Sequence, residues 1–255
     1  MLKVKGVSAG YNGTKVLHDI SFELERGETL AVIGPNGCGK TTLLRAAANL
    51  IPFEGEVLVD GRDVRGLSRR QTAEKIAMLF QSTSINFEYT VYETVMMGRY
   101  ARMARAFFPR VAEADKEAAL TALDAVHMSA LRDSGLGTLS GGQLQRVFLA
   151  KTLAQQPDII MLDEPANHLD LSYQVELAGL LRDWAAGKGL TIIGVMHDIN
   201  LAMHFSEKFL VLKEGRVEVL GPAGAALGGE RLKSVYGMDV AGYMRETLRK
   251  WENIG

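Results

Sequence analysis

The first part of the chain alternates hydrophobic and polar residues in the manner of half-buried β-strands. The alternation runs through residues 2–7 (LKVKGV) and 21–33 (SFELERGETLAVI), where it deepens into a fully apolar run at its end. Residues 55–61 (GEVLVDG) have the composition of another strand, closed by the Asp60-Gly61 pair that favours a tight hairpin turn. The pattern therefore predicts an N-terminal region rich in β-structure.

A helical pattern occupies the middle of the chain. The apolar residues of 40–50 (KTTLLRAAANL) fall on one helical stripe that includes Leu50, and Pro52 should end that helix. Helical texture then extends from about residue 67 to 154, with apolar residues recurring at helical intervals at Leu120, Leu123, Val126 and Leu131. Strand-like runs return at 158–162, 190–196, 208–215 and 216–220. The order of strands, helical insert and strands predicts an α/β domain.

Composition limits the classes of function. The 255 residues, 47% of them hydrophobic, suffice for one large domain or for one core with a subdomain. The formal net charge of −1 gives no overall basic field for nucleic acid or anionic lipid. The single cysteine, Cys38, suits a reducing compartment. Without a signal-peptide core or an uncharged run of 18 residues, we expect a soluble, cytosolic chain.

The strongest chemical signal is a phosphate-binding loop. Residues 34–42 (GPNGCGKTT) fit the pattern G-x-x-x-x-G-K-[ST] between a buried strand and a helix, which is the context that this loop requires. Lys40 should reach the β- and γ-phosphates, and Thr41 should offer its hydroxyl to Mg²⁺. Cys38 occupies a variable position and is interpreted as packing. The predicted nucleotide-binding residues of the loop are Gly34, Pro35, Asn36, Gly37, Cys38, Gly39, Lys40, Thr41 and Thr42.

Two further apolar strands end in titratable residues. Residues 159–165 (IIMLDEP) end in Asp163, placed to hold Mg²⁺ through water, and in Glu164, placed to face a water that attacks the γ-phosphate. Residues 191–200 (TIIGVMHDIN) carry His197 at a similar strand end. Spacing alone leaves His197 open between a structural and a catalytic role.

A second glycine turn, LSGGQ at residues 139–143, begins a helix about a hundred residues after the phosphate loop. With it, six motifs in order resemble the nucleotide-binding subunit of ATP-binding cassette (ABC) transporters, over nearly the whole chain. They are Walker A (34–42), the Q-loop around Gln81, the LSGGQ signature, Walker B (159–165), the D-loop ANHLD (166–170) and the switch histidine His197. The resemblance implies a P-loop NTPase (RecA-like) core with an antiparallel β subdomain and an inserted α-helical subdomain.

The resemblance also implies a role for each motif residue. Tyr11 would stack on adenine, Gln81 would contact the metal and the attacking water, Glu164 would be the general base or water-polarising residue, and His197 would sense the γ-phosphate. The signature residues Ser140, Gly141, Gly142 and Gln143 would bind the ATP of a second copy in a head-to-tail dimer, and Asp170 would link the two sites. ATP and Mg²⁺ are the implied cofactors.

The segment after Gln81 indicates the subfamily. Residues 87–100 (FEYTVYETVMMGRY) resemble the corresponding stretch of importers for iron–siderophores, haem and vitamin B12, where it receives a membrane permease. An amphipathic helix of the helical subdomain is the other interpretation of this segment. Its expected apolar surface comprises Tyr89, Val91, Met96 and Met97. The basic residues that remain open between a solvated face and permease contacts are Arg99, Arg102 and Arg105.

We therefore expect an ATPase that powers metal-chelate uptake, peripheral on the cytoplasmic side of the cell membrane. Its partners would be a second copy, the permease and, indirectly, a substrate-binding protein. Molybdate or zinc/manganese importers and a soluble assembly ATPase, for example for iron–sulfur clusters, are the alternatives; a nucleic-acid ATPase is disfavoured by the charge. The expected divisions are a core with its β subdomain (1–81 and 155–220), a helical subdomain (82–154) and a tail (221–255).

Overall fold

The secondary structure is taken from a computed structural model, which describes residues 1–80, 88–103, 111–167 and 169–254. The strands are β1 (Leu2–Tyr11), β2 (Thr14–Leu24), β3 (Thr29–Ile33), β4 (Phe53–Val59), β5 (Arg62–Asp63), β6 (Ile76–Leu79), β7 (Ile159–Asp163), β8 (Thr191–Val195), β9 (Lys208–Lys213) and β10 (Arg216–Pro222). The helices are α1 (Lys40–Ala47), α2 (Arg69–Lys75), α3 (Val91–Met96), α4 (Glu113–Ala125), α5 (Gly141–Ala154), α6 (Leu171–Lys188), α7 (Ile199–Phe205), α8 (Ala223–Ala226), α9 (Gly229–Tyr236) and α10 (Val240–Glu252).

Two β-sheets of different construction organise these elements. One sheet has the order β2-β1-β4-β5, and all of its pairings are antiparallel. Its β4–β5 hairpin turns at Asp60 and Gly61, both with positive φ, as the Asp-Gly pair predicts. The other sheet has the order β10-β9-β3-β8-β7-β6, with parallel pairing from β9 through β6. This combination is the expected α/β fold with an antiparallel β subdomain.

The parallel sheet is buried on both faces because its strands send alternate side chains into two different cores. Leu30 and Val32 of β3 pack with α1 and the antiparallel sheet. Ala31 and Ile33 of the same strand pack on the opposite side, with the helices of the insert and α6. The ends of the parallel strands are therefore held rigidly between two packed layers.

The predicted helical insert lies between β6 and β7. Its helices α3, α4 and α5 contact one another and join the core on one face of the parallel sheet through residues such as Val95, Leu123 and Val147. Val91, which was expected on an apolar docking surface, is instead fully buried in this core. Tyr89 is 39% exposed, and Met96 and Met97 are half-buried.

Three further expectations, on one strand and on two leucines, differ from the fold. Residues 76–79 lie in the region expected to be helical, but they form β6, a buried edge strand. The parallel pairing with β7 decides the conformation of this short segment. The first helix ends at Ala47, so Leu50 lies outside it and is 53% exposed. Leu120 is 36% exposed, and the buried face of α4 is formed instead by its alanines together with Leu123.

Arg99 belongs neither to a solvated face nor to an exposed contact surface. Its guanidinium is buried and binds the Asp115 carboxylate at 3.0 Å, the carbonyl of Ala154 at 2.6 Å and the Gln156 side chain at 3.0 Å. Arg102 donates to the carbonyl of Gln155 at 2.7 Å. Both arginines thus satisfy carbonyls at the C-terminal end of α5, where cations are favoured. Arg105 lies outside the described residues.

The tail packs its first part on the domain. Leu232, Val235 and Val240 join the core, and Lys213 Nζ donates to the carbonyl of Ser234 at 2.9 Å. Over the described part of the chain, no helix is both long enough and apolar enough to cross a lipid bilayer.

Candidate nucleotide-binding site

The predicted site residues follow the carboxyl ends of three strands that lie side by side, in the order β3, β8 and β7. The phosphate loop follows β3, and His197 follows β8. Asp163 is the last residue of β7, and Glu164 comes directly after it. Asp163 is paired with Val195, so the ends of β7 and β8 are level with each other. Parallel strands place all of these side chains at one edge of the sheet, which is where α/β folds bind ligands.

The glycines that start and end the loop are required by close approach of other atoms. Gly34 has φ of 151°, and a Cβ there would lie 2.1 Å from the Leu212 carbonyl oxygen. Gly39 has φ of 106°, and its Cβ would lie 2.7 Å from Leu17 Cδ2. A side chain at either position would push the loop out of place.

Lys40 and Thr41 begin α1 with their functional groups turned back over the loop. Lys40 is buried, and its Nζ donates to the carbonyls of Gly34 at 2.8 Å and Pro35 at 3.0 Å. Thr41 Oγ1 donates to Asp163 Oδ1 at 3.0 Å. The hydroxyl and the carboxylate predicted to serve Mg²⁺ are therefore neighbours, as that role requires.

Asp163 is almost entirely buried, and this burial raises the pKa of its carboxyl. The adjacent Glu164 carboxylate adds to the increase in pKa, whereas the Thr41 hydroxyl and the charges of Arg45 and Lys40 oppose it. A buried carboxylate whose charged form is disfavoured gains from a nearby cation. The donor set therefore fits a hard divalent cation that prefers oxygen ligands.

Glu164 is held by its backbone and by two side chains. Its φ is 55°, a left-handed conformation uncommon for a residue other than glycine, and its N–H donates to the Val195 carbonyl at 3.2 Å. One carboxylate oxygen contacts His197 Nε2, and the other accepts from the Asn167 amide. The structure thus brings the predicted base and the predicted γ-phosphate sensor into direct contact.

These residues enclose an open cleft of about 570 Å³. The residues that line it are Val16, Asn36, Gly37, Gly39, Lys40, Thr41, Thr42, Glu164, Asn167 and His197. Tyr11 lies outside this set, at the end of β1, and its hydroxyl accepts from Arg45 at 3.2 Å. Cys38 is a buried member of the loop, and burial raises the pKa of its thiol, in agreement with a packing role. Gln81 lies outside the described residues.

The signature turn is separate from the cleft. Ser140 caps α5: its Oγ accepts from the N–H of Gln143 at 3.3 Å, and its own N–H donates to Gln143 Oε1 at 2.9 Å. Gly141 and Gly142 carry the remaining N–H groups of the first turn, which have no partner within the helix. None of these four described residues lines the cleft that contains Lys40.

Asp170 has a local role at the start of α6. Its carboxylate accepts from the N–H of Tyr173 at 2.9 Å and from the Ser172 hydroxyl at 2.7 Å. These bonds lower the pKa of Asp170, with the Tyr173 bond as the largest cause. A link from Asp170 to a second nucleotide site stays a prediction.

Three residues of the site were not assigned from the sequence. Asn167 orients Glu164, Val16 forms a wall of the cleft, and Arg45 contacts Tyr11. The D-loop motif placed Asn167 near the site without giving its role. Val16 lies in an alternating strand and carries no sequence signal of its position in the site. Arg45 lies one helical turn after Thr41, so the helical period could have indicated that Arg45 and Thr41 share one side of α1.

A glycine loop with a lysine, an acid pair and a histidine at adjacent parallel strand ends defines a P-loop nucleotide hydrolase. The sequence model of the ABC transporter family matches residues 17–167. The chain is 35% identical to the ferric enterobactin transport ATP-binding protein FepC of Escherichia coli, over 93% of the chain and 87% of FepC. It is 36% identical to the petrobactin import ATP-binding protein YclP of Bacillus subtilis, over 94% of both chains. The chain belongs to the ABC transporter family, as its ATP-hydrolysing, ATP-binding cassette.

Solved structures agree with this assignment. A metal-chelate type ABC transporter in an inward-facing conformation superposes with a TM-score of 0.81, at 28% identity, over 93% of this chain and 89% of that one. The dimeric cassette MJ0796 superposes with a TM-score of 0.77, at 30% identity, over 87% of this chain and 98% of that one. The predicted P-loop core, antiparallel subdomain and helical insert are thus confirmed.

Proposed function

We propose that this chain is the ATPase subunit of an importer for a metal chelate (an iron–siderophore, haem or cobalamin), working as a head-to-tail pair of copies beneath a separate permease. The observation that carries the proposal is the division of the site. Lys40, Glu164 and His197 share one cleft, whereas no residue of the signature turn lines it. A second copy would complete the site.

ATP would enter with its phosphates over the loop. The Lys40 ammonium would exchange its two carbonyl partners for β- and γ-phosphate oxygens, and the loop N–H groups would bind the remaining oxygens. Thr41 and Asp163, with Gln81, would hold Mg²⁺, which when bound neutralises phosphate charge. Tyr11 would stack on adenine, a role that is carried by the resemblance and by its exposed position at the end of β1.

Hydrolysis would depend on Glu164. Its contacts with Asn167 and His197 fix the carboxylate, so that it can orient the attacking water and accept a proton from it. His197 would contact the γ-phosphate and report its loss. The N–H groups of Ser140, Gly141 and Gly142 on the second copy would bind the same phosphate, because the start of a helix favours an anion.

The substrate class rests on the relatives. FepC is a ferric enterobactin transport ATP-binding protein, YclP is a petrobactin import ATP-binding protein, and the superposed transporter is described as metal-chelate type. Chelate recognition would belong to the permease and to a substrate-binding protein. This chain would sit on the cytoplasmic side of the membrane and contact the permease through the segment after Gln81, including exposed Tyr89.

The Glu164→Gln variant tests the catalytic assignment. Without a carboxylate to accept the proton, turnover should fall by at least about 100-fold. ATP binding should persist, and ATP should trap a dimer that size-exclusion chromatography separates from monomer. The exposed Glu207→Gln variant, between α7 and β9, is the control and should behave as wild type. Wild-type turnover in Glu164→Gln would refute the assignment of the base.

The same trapped variant tests the transport assignment. Tagged Glu164→Gln chain is recovered with ATP from detergent-solubilised native membranes, and its companions are identified by mass spectrometry. A polytopic permease encoded with a metal-chelate binding protein supports the proposal. A permease of a molybdate or zinc/manganese system would change the substrate class, and recovery of soluble proteins alone would replace import with an assembly role.

A further inference from the structure

The first turns of the signature helix α5 bind the loop that follows Glu164 in the same chain. Gln145 Nε2 donates to the carbonyl of Pro165, the next residue after Glu164, at 3.0 Å. Gly142 faces the same loop, since a Cβ added there would lie 3.5 Å from Leu169 Cδ2. The helix is therefore hydrogen-bonded to the loop at Gln145 and faces it at Gly142, three residues earlier on the same side.

Arg146 extends this face of the helix onto α6. Its guanidinium carbon lies 3.9 Å from the centre of the Tyr173 ring, and its Nη2 lies 3.5 Å from Glu176 Oε2. Positions 142, 145 and 146 are spaced as i, i+3 and i+4, so all of these contacts lie on one side of α5. The signature helix is thus attached both to the loop and to the helix that follows it.

The loop itself has little freedom to absorb a displacement of α5. Gln174 Nε2 donates to the carbonyls of Ala166 and Leu169, each at 3.1 Å. The Asn167 amide contacts the Glu164 carboxylate, and the Asn167 N–H donates to the Glu164 carbonyl at 3.3 Å. A shift at Pro165 would therefore reach the Glu164 carboxylate through short, hydrogen-bonded connections.

We propose that Gln145 is a positioning residue that couples the two ATP sites of the dimer. This inference rests on the proposed function, in which the signature turn of α5 binds the ATP of the second copy. Glu164 of the same chain acts on the chain's own ATP. Gln145 thus connects the signature N–H groups, which bind the ATP of the second copy, to Glu164, which acts on the chain's own ATP. Binding of ATP at one site would therefore fix the position of the Glu164 carboxylate at the other site.

The Gln145→Met variant removes the amide donor while keeping a side chain of similar length and volume. Gln155→Met is the matched control, because Gln155 lies at the other end of the same helix and its Nε2 donates to the carbonyl of Ile76 at 2.9 Å. Two quantities are measured for each variant: the ATP dependence of hydrolysis, and ATP-driven dimer formation in a Glu164→Gln background.

For Gln145→Met we expect the Hill coefficient to fall from near that of a two-site enzyme to about 1, and kcat to fall about tenfold. The ATP concentration for half-maximal dimer formation should stay within about twofold of the Glu164→Gln parent, since the signature N–H groups remain in place. Gln155→Met should keep the wild-type Hill coefficient. If Gln145→Met does not fold, Arg146→Gln should give the same pattern by loosening the contact with α6.

Two results would overturn the inference. Unchanged cooperativity and kcat in Gln145→Met would show that the Pro165 contact transmits nothing, and loss of ATP-driven dimers would show that Gln145 only supports the signature turn. A wild-type chain that forms no ATP-dependent dimer and hydrolyses no ATP would refute the proposed function itself, and that result is read from the wild type before any variant.

Discussion

At the scale of single residues, the site depends on two carboxyl groups whose position and environment are fixed by their neighbours. Glu164 has a left-handed backbone and two side-chain partners, and Asp163 is a buried carboxyl beside a second acid. The residue types at these positions could be predicted from the sequence, because the motifs require them. The contact of Glu164 with His197 could not, because it depends on the strand order β8-β7 and on the level ends of those two strands.

Cys38 gives a prediction at this scale. Cys38 is 6% exposed within the phosphate loop, and burial raises the pKa of its thiol, so little reactive thiolate forms at neutral pH. Iodoacetamide should label the folded chain at least about tenfold more slowly than the chain in guanidinium, because labelling requires local opening. Mass spectrometry measures the rates, and Cys38→Ser controls for labelling elsewhere. Equal rates in the two states would contradict the packing role.

At the scale of elements, the start of α5 combines a folding signal with the proposed binding site for the ATP of a second copy. Ser140 and Gln143 form a capping box that begins the helix, and the two glycines between them leave the first-turn N–H groups uncovered by side chains. The sequence predicted the helix start. The attachment of α5 to the Glu164 loop was not predicted, because Gln145 contacts a residue 20 positions away.

The capping role of Ser140 and its proposed role in nucleotide binding can be separated by substitution. Ser140→Ala should cost about 1 kcal/mol of folding free energy through the lost cap. Ser140→Arg should block hydrolysis while leaving ATP binding to the monomer unchanged, because a long side chain would occupy the space of the partner's ATP. Urea unfolding, ATPase assays and nucleotide binding to dilute monomer measure these effects.

Ser68 provides the matched comparison, because it forms the same capping box with Gln71 at the start of α2. Ser68→Ala should have a similar cost in stability, and Ser68→Arg should retain hydrolysis. Full activity of Ser140→Arg would mean that the signature turn does not contact nucleotide in a second copy.

At the scale of the whole molecule, the buried Tyr173 and the half-buried Tyr236 connect the α6 and tail regions to the core. Tyr173 lies beside α5, and Tyr236 lies near Gly34 and Cys38, so the tail reaches the rear of the phosphate loop. Burial raises the pKa of both tyrosines to about 12. Composition gave no indication of this contact between tail and loop, because the two segments are separated by about 200 residues of chain.

These pKa values predict a loss of stability in alkali. A tyrosine ionises near pH 10 in the unfolded chain but near 12 in the folded one, so above pH 10 the unfolded state releases a proton that the folded state retains. The free energy of unfolding should therefore decrease between pH 10 and 12, by up to about 2 kcal/mol for each tyrosine after allowance for partial exposure. Urea unfolding at pH 8 and 11 measures the change. Tyr236→Phe should reduce this dependence, and an identical slope in that variant would contradict the assignment.

The buried Arg99–Asp115 ion pair connects the helices of the insert and so contributes to the stability of the whole domain. Arg99 joins α4 to the C-terminal end of α5, and the Asp115 carboxylate also accepts from the Ala112 N–H at the start of α4. Arg99→Met should destabilise the chain by about 3–5 kcal/mol, because it leaves a buried carboxylate and the Ala154 carbonyl without this guanidinium.

The comparison pair lies on the same helix. Lys116 and Glu113 form an exposed ion pair at 3.0 Å, and Lys116→Met should cost less than about 1 kcal/mol because water already screens that pair. Combining Arg99→Met with Asp115→Leu should cost less than the sum of the two single changes, since the double variant no longer buries an uncompensated charge. Urea unfolding of the four variants measures the coupling. If Arg99→Met and Lys116→Met lower the free energy of unfolding equally, apolar contacts alone hold the insert together. The buried ion pair of Arg99 would then not stabilise the packing of α4 against α5.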